Sequence, residues 1–299
     1  MAPPIQSGFI ETEGGLRLFY KATGSGPRTL VCCNGVGVST FFWKYIVEHF
    51  GEDYRVVVWD YRGHGRSERP HHPDAADLSI PACARDLARI LDGVGADEAV
   101  LLGHSMGCQV ILEFARLHPE RVTGLVPMLG SAGKVLDTFY DSDKAAKAYP
   151  FVFGLTELLG DNTSRVMEAA LRSPLAWFVT RHARMVDPVY TNESDFRPYL
   201  DHMAEIDPRL FLRMVGQAHE HDAFDVLPGL QAPTLVIAAE NDTFTPLWLS
   251  ERMAREIPQA ELMVLADASH AAIIEQPATI NHRLQRFLNQ RVRWTPPGP

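Results

Sequence analysis

The chain has 299 residues, 46% of them hydrophobic and 22% charged, a composition that supports a large buried core and excludes a disordered chain. A formal net charge of -9 argues against a nucleic-acid binder, which needs a basic face for phosphate contacts, and favours a neutral or apolar small-molecule partner. The start Met1-Ala-Pro-Pro-Ile-Gln-Ser7 lacks the basic residues and apolar core of a secretory signal, and no apolar run approaches transmembrane length, so a cytoplasmic protein without a membrane span is expected.

In chain order, residues 9–13 and 16–22 read as two strands joined by the Gly14-Gly15 turn. Thr29–Cys33 and Arg55–Trp59 are short runs of buried character, the second ending in the turn Asp60-Tyr-Arg-Gly-His-Gly-Arg-Ser67. Strands apolar on both sides imply a parallel sheet covered on both faces. Ile80–Gly93 carries Ala84, Leu87, Ala88 and Leu91 at helical spacing, and a strand at 99–102 follows. A helix over Met106–Leu117, closed by His118-Pro119, and a strand over Val122–Met128 continue the alternation. This rhythm predicts an α/β protein with a doubly wound, mostly parallel sheet. Cys32 and Cys33, adjacent in a strand, point to opposite faces, and Cys83 and Cys108 fall in helices; no disulfide framework or CxxC metal spacing is present.

Between 134 and 225 helical signals continue without strand signals, which predicts a helical cap inserted into a core made of 1–133 and 226–299. Its amphipathic stretches at 166–171, 177–185 and 196–203 are interrupted by Pro174, Pro188, Pro198 and Pro208, so short helices are expected. Alternation resumes with a strand at 234–238, a helix at 246–256, a strand at 262–265 and a last helix at 273–290. The tail from Trp294 to Pro299 is expected to be loose.

The sharpest chemical signal is Gly103-His104-Ser105-Met106-Gly107, a G-x-S-x-G placed between a buried strand and a helix. The chain must reverse sharply there, which forces Ser105 into a strained conformation with its hydroxyl projecting and leaves no room for side chains at 103 and 107. The same turn aims the Met106 N–H from a helix N-terminus at a developing negative charge. A serine hydroxyl is a weak nucleophile near neutral pH and needs a base, and the base needs a partner that fixes its tautomer. Among twelve histidines, His270 follows the strand at 262–265, and Asp242 follows the strand at 234–238; both therefore fall at the carboxyl edge of the sheet, where sites form in open α/β folds.

The order Ser105, Asp242, His270, together with the turn from Asp60 to Ser67 and the stretch Ser269-His-Ala-Ala-Ile-Ile-Glu-Gln-Pro277, closely resembles the α/β-hydrolase fold family over residues 9–290. The resemblance implies a second oxyanion donor from the loop after the third strand, where Asn34-Gly35-Val36-Gly37 carries Asn34 in place of the family's usual histidine. By position that donor is the N–H of Val36. The implied activity is cleavage of an ester-like acyl bond by Ser105, His270 and Asp242, with no metal or organic cofactor required. Lactone opening, C–C bond hydrolysis and thioester cleavage use the same residues and stay open, as does a non-catalytic ligand receptor built on the same fold. An aspartate-nucleophile dehalogenase or epoxide hydrolase is disfavoured by Ser105.

Several other features have competing readings. The Asp60 to Ser67 turn is expected to be architectural, its glycines suiting tight turns. His219-Glu-His221-Asp222 is poorly spaced for a metal site. Phe41-Phe42-Trp43 and Trp177-Phe178 suit either a substrate pocket or packing.

Overall fold

The computed structural model describes residues 3–72 and 76–294. The chain opens with β1 (Ile5–Glu11) and β2 (Arg17–Thr23), an antiparallel hairpin, and continues through β3 (Thr29–Cys33), α1 (Lys44–Phe50), β4 (Arg55–Trp59), α2 (Ile80–Gly93), β5 (Ala99–His104), α3 (Met106–Leu117) and β6 (Val122–Met128). Five helices then intervene: α4 (Lys144–Leu159), α5 (Asp161–Arg172), α6 (Pro174–His182), α7 (Glu193–Glu205) and α8 (Pro208–Glu220). The sheet is completed by β7 (Leu235–Ala239) and β8 (Glu261–Leu265), with α9 (Leu247–Glu256) between them and α10 (Ala272–Glu275) and α11 (Pro277–Gln290) after them.

The eight strands run in the order β1-β2-β4-β3-β5-β6-β7-β8, antiparallel through the β2–β4 pairing and parallel from there on. The expected doubly wound α/β architecture is therefore the one observed. Each central strand is buried on both sides. Val31 and Cys33 join one apolar cluster with Leu87 of α2, Val110 of α3 and Met253 of α9. Leu30 and Cys32 join the opposite cluster with Ile46 of α1 and Leu284 of α11. The two cysteines thus face opposite sides of the sheet, and burial holds both thiols well above their ordinary pKa.

Two expectations need correction. Pro198 does not interrupt a helix: it lies inside α7, as Pro150 lies inside α4. A proline there removes one backbone bond, and in α7 the burial of Phe196, Leu200 and Met203 on one face outweighs that loss. Pro174 and Pro208 behave as expected and start helices, where a missing N–H costs nothing. The last helix is two: Gln276, immediately before Pro277, leaves the helical region (φ -126°, ψ 51°) and separates α10 from α11. The expected loose tail lies outside the described residues except for Trp294, which packs on Tyr54.

Among the described residues no helix is long and apolar enough to cross a membrane.

Candidate active site

β5 ends at the sheet's carboxyl edge and turns directly into α3 through Ser105, which sits at φ 54°, ψ -119°. A non-glycine residue rarely adopts a positive φ, so the conformation is strained and must be imposed by its surroundings. Its N–H donates to the Met128 carbonyl at 3.1 Å, and its carbonyl accepts from the Cys108 N–H at 3.0 Å. A Cβ at Gly103 would press on the Gly107 carbonyl, and one at Gly107 would press on the carbonyl of Cys33. Both glycines are therefore steric requirements of the turn.

The loops after β7 and β8 converge beside Ser105. In the first, the buried Asp242 turns one carboxylate oxygen to the backbone N–H groups of Phe244 and Thr245, each at 2.9 Å. Its other oxygen accepts from the Thr245 hydroxyl at 2.8 Å and lies 2.9 Å from His270 Nδ1. The bond to a carboxylate places a hydrogen on Nδ1 and leaves Nε2 with its lone pair. The imidazole is held between two rings, His104 at 4.9 Å and Phe244 at 5.0 Å. His104 Nε2 also lies 3.0 Å from the His270 carbonyl, to which it donates. Burial, reinforced by the neighbouring His270, pushes the His104 pKa down to about 3, so His104 stays neutral.

The second loop is anchored by Glu275. Its carboxylate, itself buried, accepts from the Ser269 N–H at 2.8 Å and the Ser269 hydroxyl at 2.6 Å. It also accepts from the Asp187 N–H and the Thr191 hydroxyl, both at 2.8 Å. One carboxylate thereby ties the residue before His270 to the helical segment between β6 and β7.

The loop after β3 closes the third side. Asn34 fixes its root with both ends of the amide, donating to the Trp59 carbonyl at 2.7 Å and accepting from Trp43 Nε1 at 2.7 Å. Further along, the Gly37 N–H donates to His64 Nε2 at 3.2 Å, while His64 Nδ1 lies 3.1 Å from the Arg62 carbonyl. These two contacts define a neutral His64, consistent with burial lowering its pKa to about 4. The N–H groups of Val36 and Met106 enter no hydrogen bond among the described residues.

Ser105, His270, Val36 and Met106 all line one cavity of about 380 Å³, with Asp242 behind His270 rather than in the wall. Ser105 Oγ makes no hydrogen bond among the described residues, so the His270–Asp242 pairing is formed in this structure and a Ser105–His270 pairing is not. Such an arrangement can hold an imidazole in one tautomer, present its free nitrogen to the cavity, and offer two backbone donors to an oxygen next to a serine hydroxyl.

The remaining sequence signals separate cleanly. Phe42 lines the cavity and packs on His104, whereas Trp43 is buried against Asn34. Trp177 packs on Phe196 away from the cavity wall, and Phe178 is exposed. His221 pairs with Glu113 of α3 at 3.1 Å, while His219 faces Asp137 at 3.9 Å, so the two histidines do not converge. Three contributors escape notice in the sequence: His104, Thr245 and Tyr199. The first stands beside Ser105 in the pentapeptide, and the second follows Asp242 at a turn spacing, which are usable signals. Tyr199 belongs to α7 and reaches the cavity only through the packing of that helix, which no motif records.

Comparison with known proteins bears on the fold that carries this site. Residues 28–277 match the family described as alpha/beta hydrolase fold. A RutD protein of Pseudomonas savastanoi pv. phaseolicola, provisionally named a carbamate hydrolase, is 29% identical over 265 residues, covering 87% of this chain and 93% of its own length. A thermophilic esterase from Thermogutta terrifontis superposes with a TM-score of 0.73 at 27% identity, over 96% of this chain and 100% of the esterase. Est816, described as an N-acyl homoserine lactone degrading enzyme, gives a TM-score of 0.66 at 26% identity, over 94% of this chain and 100% of its own. With the eight-stranded sheet and most of its length accounted for, the chain belongs to the alpha/beta hydrolase family and is a hydrolase.

Proposed function

We propose that the chain is a serine hydrolase that cleaves a carboxylic ester or a closely related acyl bond by two-step acyl transfer. The observation that carries the proposal is the 2.9 Å contact from Asp242 to His270, whose ring lines a cavity that also holds Ser105 in a strained turn. His270 Nε2 takes the Ser105 proton as Oγ attacks the substrate carbonyl carbon. The Val36 and Met106 N–H groups donate to the oxygen that becomes negative. Asp242 holds the imidazole and stabilises its protonated form without taking the proton. The protonated His270 then passes that proton to the departing alcohol, and water repeats the sequence on the acyl-enzyme to release the acid.

The segment 134–225 acts in this scheme as a cap that roofs the cavity with apolar side chains, Val152, Phe196 and Val215 among them. An apolar roof favours neutral acyl groups. A carbamate is the second reading, supported by the likeness to the RutD protein, and it uses the same residues on a carbonyl flanked by nitrogen.

The test is direct. The wild-type protein is expected to hydrolyse p-nitrophenyl butyrate and to be labelled at Ser105 by a fluorophosphonate. Ser105→Ala is expected to do neither while keeping its circular dichroism spectrum and melting temperature. Undiminished turnover in Ser105→Ala refutes the assignment.

A further inference from the structure

Among the described residues, six of the side chains lining the cavity carry nitrogen or oxygen: His104, Ser105, Tyr149, Tyr199, Thr245 and His270. Most are committed. His104 donates to the His270 carbonyl, Thr245 to Asp242, and His270 pairs with the same carboxylate. The Tyr149 hydroxyl donates to the Leu212 carbonyl at 2.9 Å. Ser105 is the proposed nucleophile. Tyr199 is the exception: its hydroxyl has no hydrogen-bond partner among the described residues.

The ring of Tyr199 is set by Phe196, one turn earlier on α7, with centroids 4.9 Å apart at 44°. Tyr199 is sheltered from bulk solvent but keeps accessible surface as part of the cavity wall. Its oxygen is not among the polar atoms sealed inside the protein without a partner. Burial raises the phenol to about 12, so the group remains a neutral O–H donor across ordinary pH. A hydroxyl held in an apolar wall without a partner is poorly solvated when a ligand displaces water, and it discriminates against any ligand that leaves it unpaired. Among the described residues no Lys, Arg, Asp or Glu lines the cavity, so a charged ligand group buried there has no charged partner to compensate its desolvation.

We propose that Tyr199 is the specificity-determining residue of this cavity, its O–H donating to a neutral acceptor oxygen carried by an otherwise apolar substrate at a position away from the scissile carbonyl. The substrate class is thereby narrowed from any neutral acyl compound to one with a single additional keto, ether or similar oxygen. Esters that would bury a carboxylate or phosphate inside the cavity are disfavoured. The proposal rests on the serine-hydrolase reading and adds to it a selectivity.

The experiment compares p-nitrophenyl octanoate with its keto derivatives, the ketone moved along the acyl chain from C3 to C7. A second series places the ketone in the alcohol chain of alkyl octanoates, followed by pH-stat. At least one keto ester is expected to exceed its plain counterpart in kcat/KM by about tenfold in the wild type, the scale of one hydrogen bond, with the ratio falling to near one in Tyr199→Phe. Absence of a preferred keto ester in both series overturns the proposal, as does a preference that survives in Tyr199→Phe. If no ester of either kind is turned over, the proposed ester-cleaving activity fails on its own. Tyr199 is then judged by tryptophan-fluorescence titration of Ser105→Ala and Ser105→Ala/Tyr199→Phe with the same esters. Tighter binding of a keto ester to the first protein alone supports the role of Tyr199, and equal binding overturns it.

Discussion

Glu275→Gln isolates a single hydrogen bond next to His270. In the native site one Glu275 oxygen accepts from three donors, the Asp187 N–H, the Thr191 hydroxyl and the Ser269 hydroxyl, and the other accepts from the Ser269 N–H. A glutamine keeps the shape but has only one acceptor oxygen. Its best orientation turns that oxygen to the three donors, which leaves its NH2 against the Ser269 N–H. One charge-assisted bond is lost and one buried donor is orphaned, so the expected destabilisation is about 2–3 kcal/mol. Urea denaturation followed by tryptophan fluorescence reads this directly. Because the orphaned N–H belongs to the residue before His270, the proposed base shifts with it. A misplacement of order an ångström costs up to about a hundredfold in rate, and a loss of about tenfold or more in kcat toward p-nitrophenyl butyrate is expected. A Glu275→Gln protein with unchanged unfolding free energy and unchanged kcat refutes the reasoning that this carboxylate holds the loop.

Two further outcomes follow from the same geometry. Asp242→Asn leaves the Phe244 and Thr245 N–H groups an oxygen but presents an NH2 to His270, which forces the tautomer with Nδ1 as acceptor and removes the free lone pair on Nε2. A loss in kcat of about ten-thousandfold is expected on the precedent of triad carboxamides, and near-normal steady-state kinetics would move the acid elsewhere. The second concerns acid stability: His64 and His202 titrate near 4 and His104 near 3, each lowered from 6.5 chiefly by burial. The unfolded chain takes up these protons as pH falls below about 6.5 while the native fold refuses them until about 4. Their stabilising contribution is thus complete above 6.5 and lost as pH falls through the folded values. Unfolding free energy measured from pH 7 to pH 4 should decline over this window, and less steeply in His64→Gln, whose amide oxygen still accepts from Gly37; identical slopes in the two proteins contradict this.

Much of the fold was legible because local and global demands coincide in the core. Thr29–Cys33, Arg55–Trp59, Ile80–Gly93, Met106–Leu117 and Val122–Met128 have the same bounds in the structure as in the sequence pattern, since each strand is a short, mostly buried run and each helix buries one apolar face between turn residues. The helical segment after β6 was legible only in kind. α4 is the clearest case: Phe151, Leu155 and Leu158 are exposed while other apolar residues of the same helix line the cavity, so no one-sided stripe announces it. The site divides in the same way. Ser105, Asp242 and His270 stand where the ends of β5, β7 and β8 must place them. Thr245 meets Asp242 within a single turn, whereas His104 meets the His270 carbonyl, and Tyr199 the cavity, only through packing.

Asn34, at the position where the sequence resemblance leads one to expect a histidine, holds the loop after β3 by its own contacts. Asn34 does not face the cavity; both ends of its amide are committed to Trp59 and Trp43, which pins the root of the loop to β4 and to the start of α1. Control of the loop's far end falls to His64, from the Asp60 to Ser67 turn. That turn is rigid for its own reasons. Asp60 accepts from the N–H groups of Thr40 and Arg66 at 3.1 and 3.0 Å, and the Ser67 hydroxyl donates to the Asp60 carbonyl at 2.6 Å. A neutral His64 can accept from the Gly37 N–H; a protonated one cannot, because both ring nitrogens would then be donors. Burial therefore does more than pack His64. By keeping the ring neutral it lets His64 accept from the Gly37 N–H, next to a Val36 N–H that enters no hydrogen bond among the described residues and is the donor of the proposed oxyanion contact. The turn is architectural in its own contacts, and through His64 it also shapes the candidate site.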